Sequence, residues 1–304
     1  MSHKQNSPFG LKPILSFILA FALILAILFR PPATPAADLT NFFLQAEQNS
    51  TPPFPDRPDQ KFFQKTAADL AGLAAAPFSW RGADWQNFSL CLVAGGSLLP
   101  VDNSFHLWMR DLQPSNSGLI KAGKFFSRAG SPLALLGLVT GGYLAGEVAH
   151  SSSTRQTFLL LAESLFVTEV YVQFLKTGVG RARPYTEEGP FRFYPLNFKE
   201  KWHSFPSGHA AAAWALAGSL STARPGSLLG TSAFMLASAI SISRLILDQH
   251  YPSDVLLGSL LGYFIGKKIA SPGRTDRPLP HGGIRFFPSF GPGFIAVCIN
   301  LEIK

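Results

Sequence analysis

The sequence predicts an all-α bundle, multi-pass in a membrane, with a short C-terminal β-hairpin. Three observations predict it. Only 14% of the 304 residues are charged and 47% are hydrophobic, whereas soluble globular chains carry roughly 25% charge. From about residue 88 onward, apolar stretches follow one another with short Gly, Pro or Ser breaks. No sustained two-residue alternation occurs before about the last 25 residues, so the apolar period is helical. The same composition excludes disorder and collagen-like repeats. Two cysteines, Cys91 and Cys298, exclude a CxxC zinc site and a disulfide-dense scaffold. A net charge of +8 from few charges in total suits an anionic membrane surface or a phosphate substrate rather than nucleic acid.

Taken in order, residues 1–37 form a signal peptide or an N-terminal membrane anchor. Lys4 and Lys12 precede the apolar run 13–29, and small residues (Ala33, Thr34, Ala36, Ala37) follow it. Residues 38–87 read as a Pro-rich linker and pre-domain segment, because seven prolines between 30 and 60 favour a semi-extended chain. The catalytic helical domain covers 88–271. Its apolar stretches are Phe88–Val101, Pro132–Ala149, Thr157–Leu175, His209–Ala223, Leu228–Leu247 and Val255–Ala270. Thr157–Leu175 contains Glu163 and Glu169, acids that must face the bundle interior if the helix lies in a bilayer. A soluble helical core remains the alternative. In the tail, 272–304, Gly282–Phe287 and Phe294–Ile299 flank Pro288–Gly293 as a short hairpin.

Three clusters carry chemistry. The first is Lys176 with Arg183-Pro184, the second Pro206-Ser207-Gly208-His209, and the third Ser243-Arg244 with His250 and Asp254. In order and spacing they resemble the three-part signature of the type 2 phosphatidic acid phosphatase (PAP2) superfamily, which also includes bacterial acid phosphatases and vanadium haloperoxidases. The resemblance covers about residues 131–271 and implies a PAP2-type helical bundle. Singly, each cluster has an ordinary structural explanation. A terminal Lys or Arg anchors a helix at an interface, Pro-Ser-Gly makes a turn and cap, and His before Asp is a capping pair. It is their conjunction that points to phosphoryl transfer.

The residues supply each part of that reaction. Negative charge spreads over three phosphoryl oxygens, and Lys176, Arg183 and Arg244 can balance it without a metal. HExxH, an EF-hand loop and Asp/Glu clusters are all absent from the sequence, so metal and cofactor are expected to be none, with vanadate as an inhibitor. Ser207 at an N-cap and Gly208 in the first turn would offer free backbone N–H groups to the phosphate at a helix N-terminus. His209 projects from that turn. Asp254, four residues past His250, is expected to bond one ring nitrogen and leave the other aimed at phosphorus. The resemblance implies the same roles: His250 forms a phosphohistidine, and His209 protonates the departing oxygen and then activates water.

The function expected is therefore metal-independent hydrolysis of a phosphate monoester or diphosphate. In a membrane the substrate is a lipid phosphate such as phosphatidic acid, phosphatidylglycerol phosphate, isoprenyl diphosphate or lipid A phosphate. The rivals are a soluble periplasmic non-specific acid phosphatase, acting on a small phosphate ester, and a vanadium-dependent haloperoxidase on the same site. A non-catalytic membrane component has no need of both histidines and three cations at these spacings. Arg224, Lys267 and Lys268 fall at the helix ends opposite the motifs, and cytoplasmic loops favour Lys and Arg. This predicts an inner-membrane protein with an extracytoplasmic site. The parity of that count requires that Phe88–Val101 not span.

Overall fold

The computed structural model describes residues 54–271 and the backbone of 284–291 and 294–301. The expected signal peptide or anchor, 1–37, lies outside the described residues. Helix α1 (Gln60–Ala75) sits in the pre-domain segment, where no helix was expected. Asp59 caps it by accepting a hydrogen bond from Phe62 N at 3.0 Å. The apolar stretch Phe88–Val101 is divided between α2 (Gly82–Gly96) and α3 (Leu99–Leu112), and α4 (Ser117–Ala129) follows.

The remaining helices follow the expected stretches closely. They are α5 (Pro132–Val148), α6 (Ser152–Val179), α7 (Gly208–Ala223), α8 (Leu228–Ile246) and α9 (Pro252–Ala270). The start of α9 precedes the expected Val255 because Pro252 occupies its first turn, where a missing N–H costs nothing.

Helix α7 is the axis of the bundle, with Ala210 through Ala217 all buried. Helix α9 packs along it with glycines at every fourth position, Gly258, Gly262 and Gly266. A Cβ at any of them would run into the backbone of Ser207, Ala211 or Ala215. Small residues on both helices therefore allow backbone approach, as in helix pairs within membranes. On one side Trp214 anchors a core with Phe105, Met109, Ile240, Leu245 and Leu256. On another, Leu135, Val139, Leu161 and Leu165 join α5 and α6 to Leu216. Helix α1 covers a third side, where Leu70 and Leu73 meet Leu160, Ile265 and Ile269. Here Glu163 faces the interior as expected, paired with Lys65 Nζ at 2.8 and 3.0 Å.

Among the described residues, three helical stretches are long and apolar enough to cross a membrane by length and composition: Gly82–Ser115, Ser152–Val179 and Leu228–Ile246. The pair Ser117–Ala129 and Pro132–Val148, bent by 52°, passes the same test jointly. Phe88–Val101 thus belongs to a 34-residue stretch that can span. The parity count does not close on it, and the side on which the site lies rests on charge alone.

Beyond Ser271 a second unit contains β1 (Ile284–Gly291) and β2 (Phe294–Leu301). They pair antiparallel from Ile284 opposite Leu301 to Gly291 opposite Phe294. Pro288, placed in the turn by the sequence reading, lies within β1 opposite Val297.

Candidate active site

Four helix ends meet at one face of the bundle: the C-termini of α6 and α8 and the N-termini of α7 and α9. Helix α6 stops at Gly180, whose left-handed backbone (φ 63°) brings its N–H to Lys176 O at 2.9 Å. The next four residues run beside the returning loop. Ala182 N donates to Arg192 O at 2.9 Å, Arg183 N to Lys201 O at 3.0 Å, and Ser204 N to Arg181 O at 3.0 Å. The first motif is thereby tied to the second. At the end of α8, Asp248 takes a left-handed turn (φ 54°) and its carboxylate is held by His106 Nδ1 at 2.9 Å. That turn delivers Gln249 and His250 to the same face.

The result is a cavity of about 300 Å³. Lys176, Arg183, Gly208, His209, Arg244 and His250 all line it, so six of the eight expected site residues converge. The three cations stand free to different degrees. Lys176 makes no ion pair within 4 Å among the described residues, Arg244 bonds only Ser127 Oγ, and Arg183 touches Gln249 Oε1 at 3.1 Å and Glu200 at 3.2 Å. The Nε atoms of Arg183 and Arg244 are buried without hydrogen-bond partners among the described residues. Opposite them, α7 begins at Ser207, and its first intrahelical bond runs from Ala211 N to Ser207 O at 3.0 Å. The amides of Gly208, His209 and Ala210 therefore precede the ladder, at the positive end of the helix dipole. A Cβ at Gly208 would sit 3.0 Å from Lys176 Nζ, which explains glycine where an anion must reach both.

Ser207 stands at the N-cap as expected, but its hydroxyl makes no capping bond and is buried without a partner among the described residues. Its backbone N–H instead donates to Asp254 O at 3.1 Å.

Asp254 departs from expectation more sharply. It is not bonded to His250. The i, i+4 relation holds only inside a helix, and His250 precedes one: Tyr251 is extended (ψ 156°) and α9 begins after it. The Asp254 carboxylate accepts from Tyr251 N at 3.1 Å, from Ser204 Oγ at 2.6 Å and from Arg181 Nη1 at 2.5 Å. His250 Nδ1–H donates to the carbonyl of Ser204 at 2.6 Å. A carbonyl can only accept, so the proton sits on Nδ1 and the lone pair on Nε2. Asp254 thus acts on the imidazole through Ser204, holding its hydroxyl while its carbonyl holds the ring. Burial above all, and then the cations Arg183, Arg244 and Lys176, keep the His250 imidazole well below its ordinary pKa and hence neutral.

The sequence reading missed the anchor beneath this arrangement. Arg181, fully enclosed, donates from Nη2 to Asp102 Oδ2 at 2.8 Å and from Nε to Pro190 O at 2.8 Å. Its guanidinium also lies 4.6 Å from the centroid of the Tyr251 ring. Asp102 continues to Ser253 N at 3.0 Å. The cavity wall also includes Glu169 and Gln173 of α6 and His203 of the loop, which bonds Asn197 O at 2.7 Å. The only sequence signal for Glu169 was an acid in an apolar helix. Among the described residues no group of three His, Cys, Asp or Glu is placed to hold a metal ion.

Residues 157–271 match the family model described as the PAP2 superfamily. A lipid A 1-phosphatase of Rhizobium etli is 30% identical over 127 residues, 40% of this chain and 54% of that protein. A lipid A 4'-phosphatase of Bacteroides thetaiotaomicron is 32% identical over 128 residues, 39% of this chain and 57% of that protein. The chain spans about half the length of the curated relatives it matches. Among solved structures, a transmembrane PAP2 type phosphatidylglycerolphosphate phosphatase from Bacillus subtilis is 20% identical. It covers 60% of this chain and 91% of its own, with a TM-score of 0.42. All three motifs fall inside the segment that matches the PAP2 superfamily model, so the resemblance they carry is borne out.

Proposed function

We propose that this chain is a PAP2-type membrane phosphatase that removes a phosphate from a lipid through a phosphohistidine, using no metal. The observation that carries the reading is the convergence of Lys176, Arg183 and Arg244 on the one cavity that also receives His250 and His209. The phosphoryl group sits among the three cations and the amides that open α7, which match the charge spread of its transition state. Nε2 of His250 attacks phosphorus in line, and the bond to the lipid oxygen breaks. In the empty site burial and then Arg244, Lys176 and Arg183 push the His209 pKa down to about 3, so the ring takes up its proton only when the bound phosphate dianion offsets those cations. It gives that proton to the lipid oxygen and then takes one from the water that attacks the phosphohistidine, releasing inorganic phosphate. Asp254, through Ser204, and Arg181 beneath it hold the ring in line. Phosphate release from lipid phosphates should continue in excess EDTA. Loss that Mg²⁺ restores would contradict the metal-free account.

The site belongs on the extracytoplasmic side. Arg224 ends α7, and Lys267 and Lys268 lie in the last turn of α9, both at the ends away from the cavity. Phe191, in the loop between α6 and α7, is 64% exposed and gives a position for labelling. In a Cys91→Ser, Cys298→Ser background, Phe191→Cys should react with a membrane-impermeant maleimide in intact spheroplasts. Protection there, with reaction only after lysis, would place the site in the cytoplasm.

A further inference from the structure

Helix α6 presents Glu169, Gln173 and Lys176 to the cavity, at i, i+4 and i+7 on one face. Lys176 serves the phosphate. The other two take no part in the phosphoryl chemistry. With a rise of about 1.5 Å per residue, Glu169 lies about 10 Å along the helix from Lys176, away from the end where the motifs meet. Its Oε1 is buried with no hydrogen-bond partner among the described residues, while the carboxylate as a whole meets the Gln173 side chain and the charge of Lys176. Buried carboxylate oxygens are costly unless donors reach them. A carboxylate also repels phosphate, so this acid is not part of the anion site that it adjoins. What it suits is a hydrogen-bond donor on the other side of the scissile bond.

We infer that Glu169 and Gln173 form a leaving-group subsite for an alcohol that carries hydroxyl or amide N–H donors, as a sugar or polyol headgroup does. The inference rests on the phosphatase reading above and narrows its substrate class. A diacylated glycerol phosphate offers ester oxygens near the phosphate, and an isoprenyl diphosphate offers hydrocarbon. Both would leave Oε1 of Glu169 buried without a donor of its own, the carboxylate served only by the neighbouring Gln173 side chain and the charge of Lys176. A glycolipid phosphate would satisfy Oε1 with a donor and meet the Gln173 amide with either a donor or an acceptor. The selectivity comes from the unpaired state that the wrong substrate leaves behind, the asymmetry by which sites built for a hydroxyl reject analogues lacking it.

The test uses the full-length protein in vesicles of a neutral phospholipid, with two substrates matched in acyl chain: an acylated glucosamine 1-phosphate and a phosphatidic acid. The quantity read is the ratio of their kcat/KM values. Wild type should favour the glucosamine phosphate, and Glu169→Ala should lower the ratio by about 10- to 100-fold, the worth of one charge-assisted hydrogen bond. Glu169→Gln, which keeps an accepting oxygen, should restore much of it. Gln173→Ala should shift the ratio the same way and decides the matter if Glu169→Ala does not fold. A wild type that prefers phosphatidic acid, or variants that slow both substrates in parallel, would overturn the subsite and leave Glu169 as a counter-charge for Lys176. Absence of His250-dependent release from either substrate would instead overturn the phosphatase reading.

Discussion

His250→Ala should reduce phosphate release by about 10⁴-fold or more, the scale on which loss of a covalent nucleophile is felt. The residue is nearly inaccessible to bulk solvent yet lines the cavity, so its removal deletes the attacking atom and leaves the cations in place. Binding of the ground-state anion should therefore survive the loss of turnover, and inorganic phosphate should still be retained by the variant. Equal loss of turnover and phosphate affinity would mean that the ring shapes the pocket rather than attacks. Retention of more than a hundredth of the wild-type rate would exclude His250 as nucleophile. His209, at the start of α7, and His203, tied to Asn197 O at 2.7 Å, line the same cavity, and neither is expected to take over the attack.

The next largest effect should come from a residue that never meets the substrate. Arg181 lies between the carboxylates of Asp102 and Asp254, all three essentially inaccessible to solvent. Arg181→Met would leave two buried carboxylates with no cation between them. Breaking a buried pair in this way costs about 3–5 kcal/mol, chiefly through the uncompensated charges left behind. That is a large share of a typical folding free energy. The variant should show a strongly lowered melting temperature in detergent, and any folded remainder should be poorly active because Asp254 no longer fixes Ser204. Arg181→Lys keeps a charge but not the fork that reaches both acids, and should fall between. A melting temperature within a degree or two of wild type for Arg181→Met would contradict the anchoring role.

How far the sequence determined this account differs from residue to residue. Helices α5 to α9 were legible because their apolar stretches are long, and their limits are marked by Ser caps, Gly180 and Pro252. The six expected residues around the cavity, Gly208 among them, were legible because their types and spacings answer one chemical demand. Helix α1 was hidden by its polar residues Gln60, Lys61, Lys65 and Asp69 and by the prolines before it; its stability comes from packing on α6 and α9, which sequence periodicity does not report. The Asp254 contact was misplaced because a helical spacing rule was applied to His250, two residues before the helix begins at Pro252. Arg181 was missed for a different reason. Asp102, one of its two acid partners, stands 79 residues away on α3, and no local pattern announces so distant an ion pair. Glu169 was noticed as an acid needing an interior position, but the cavity that receives it exists only once α6, α7 and α8 meet.

The central claim is that His250 carries the phosphoryl group between two half-reactions. It is tested most directly by rapid acid-free quenching of His209→Ala with a ³²P-labelled lipid phosphate that has a good leaving group, since this variant should form the intermediate but hydrolyse it slowly. The account predicts an acid-labile, alkali-stable label on the peptide containing His250, absent when His250 is also replaced by Ala. Label on any other residue, or steady turnover with no covalent phosphate at any time, would contradict it.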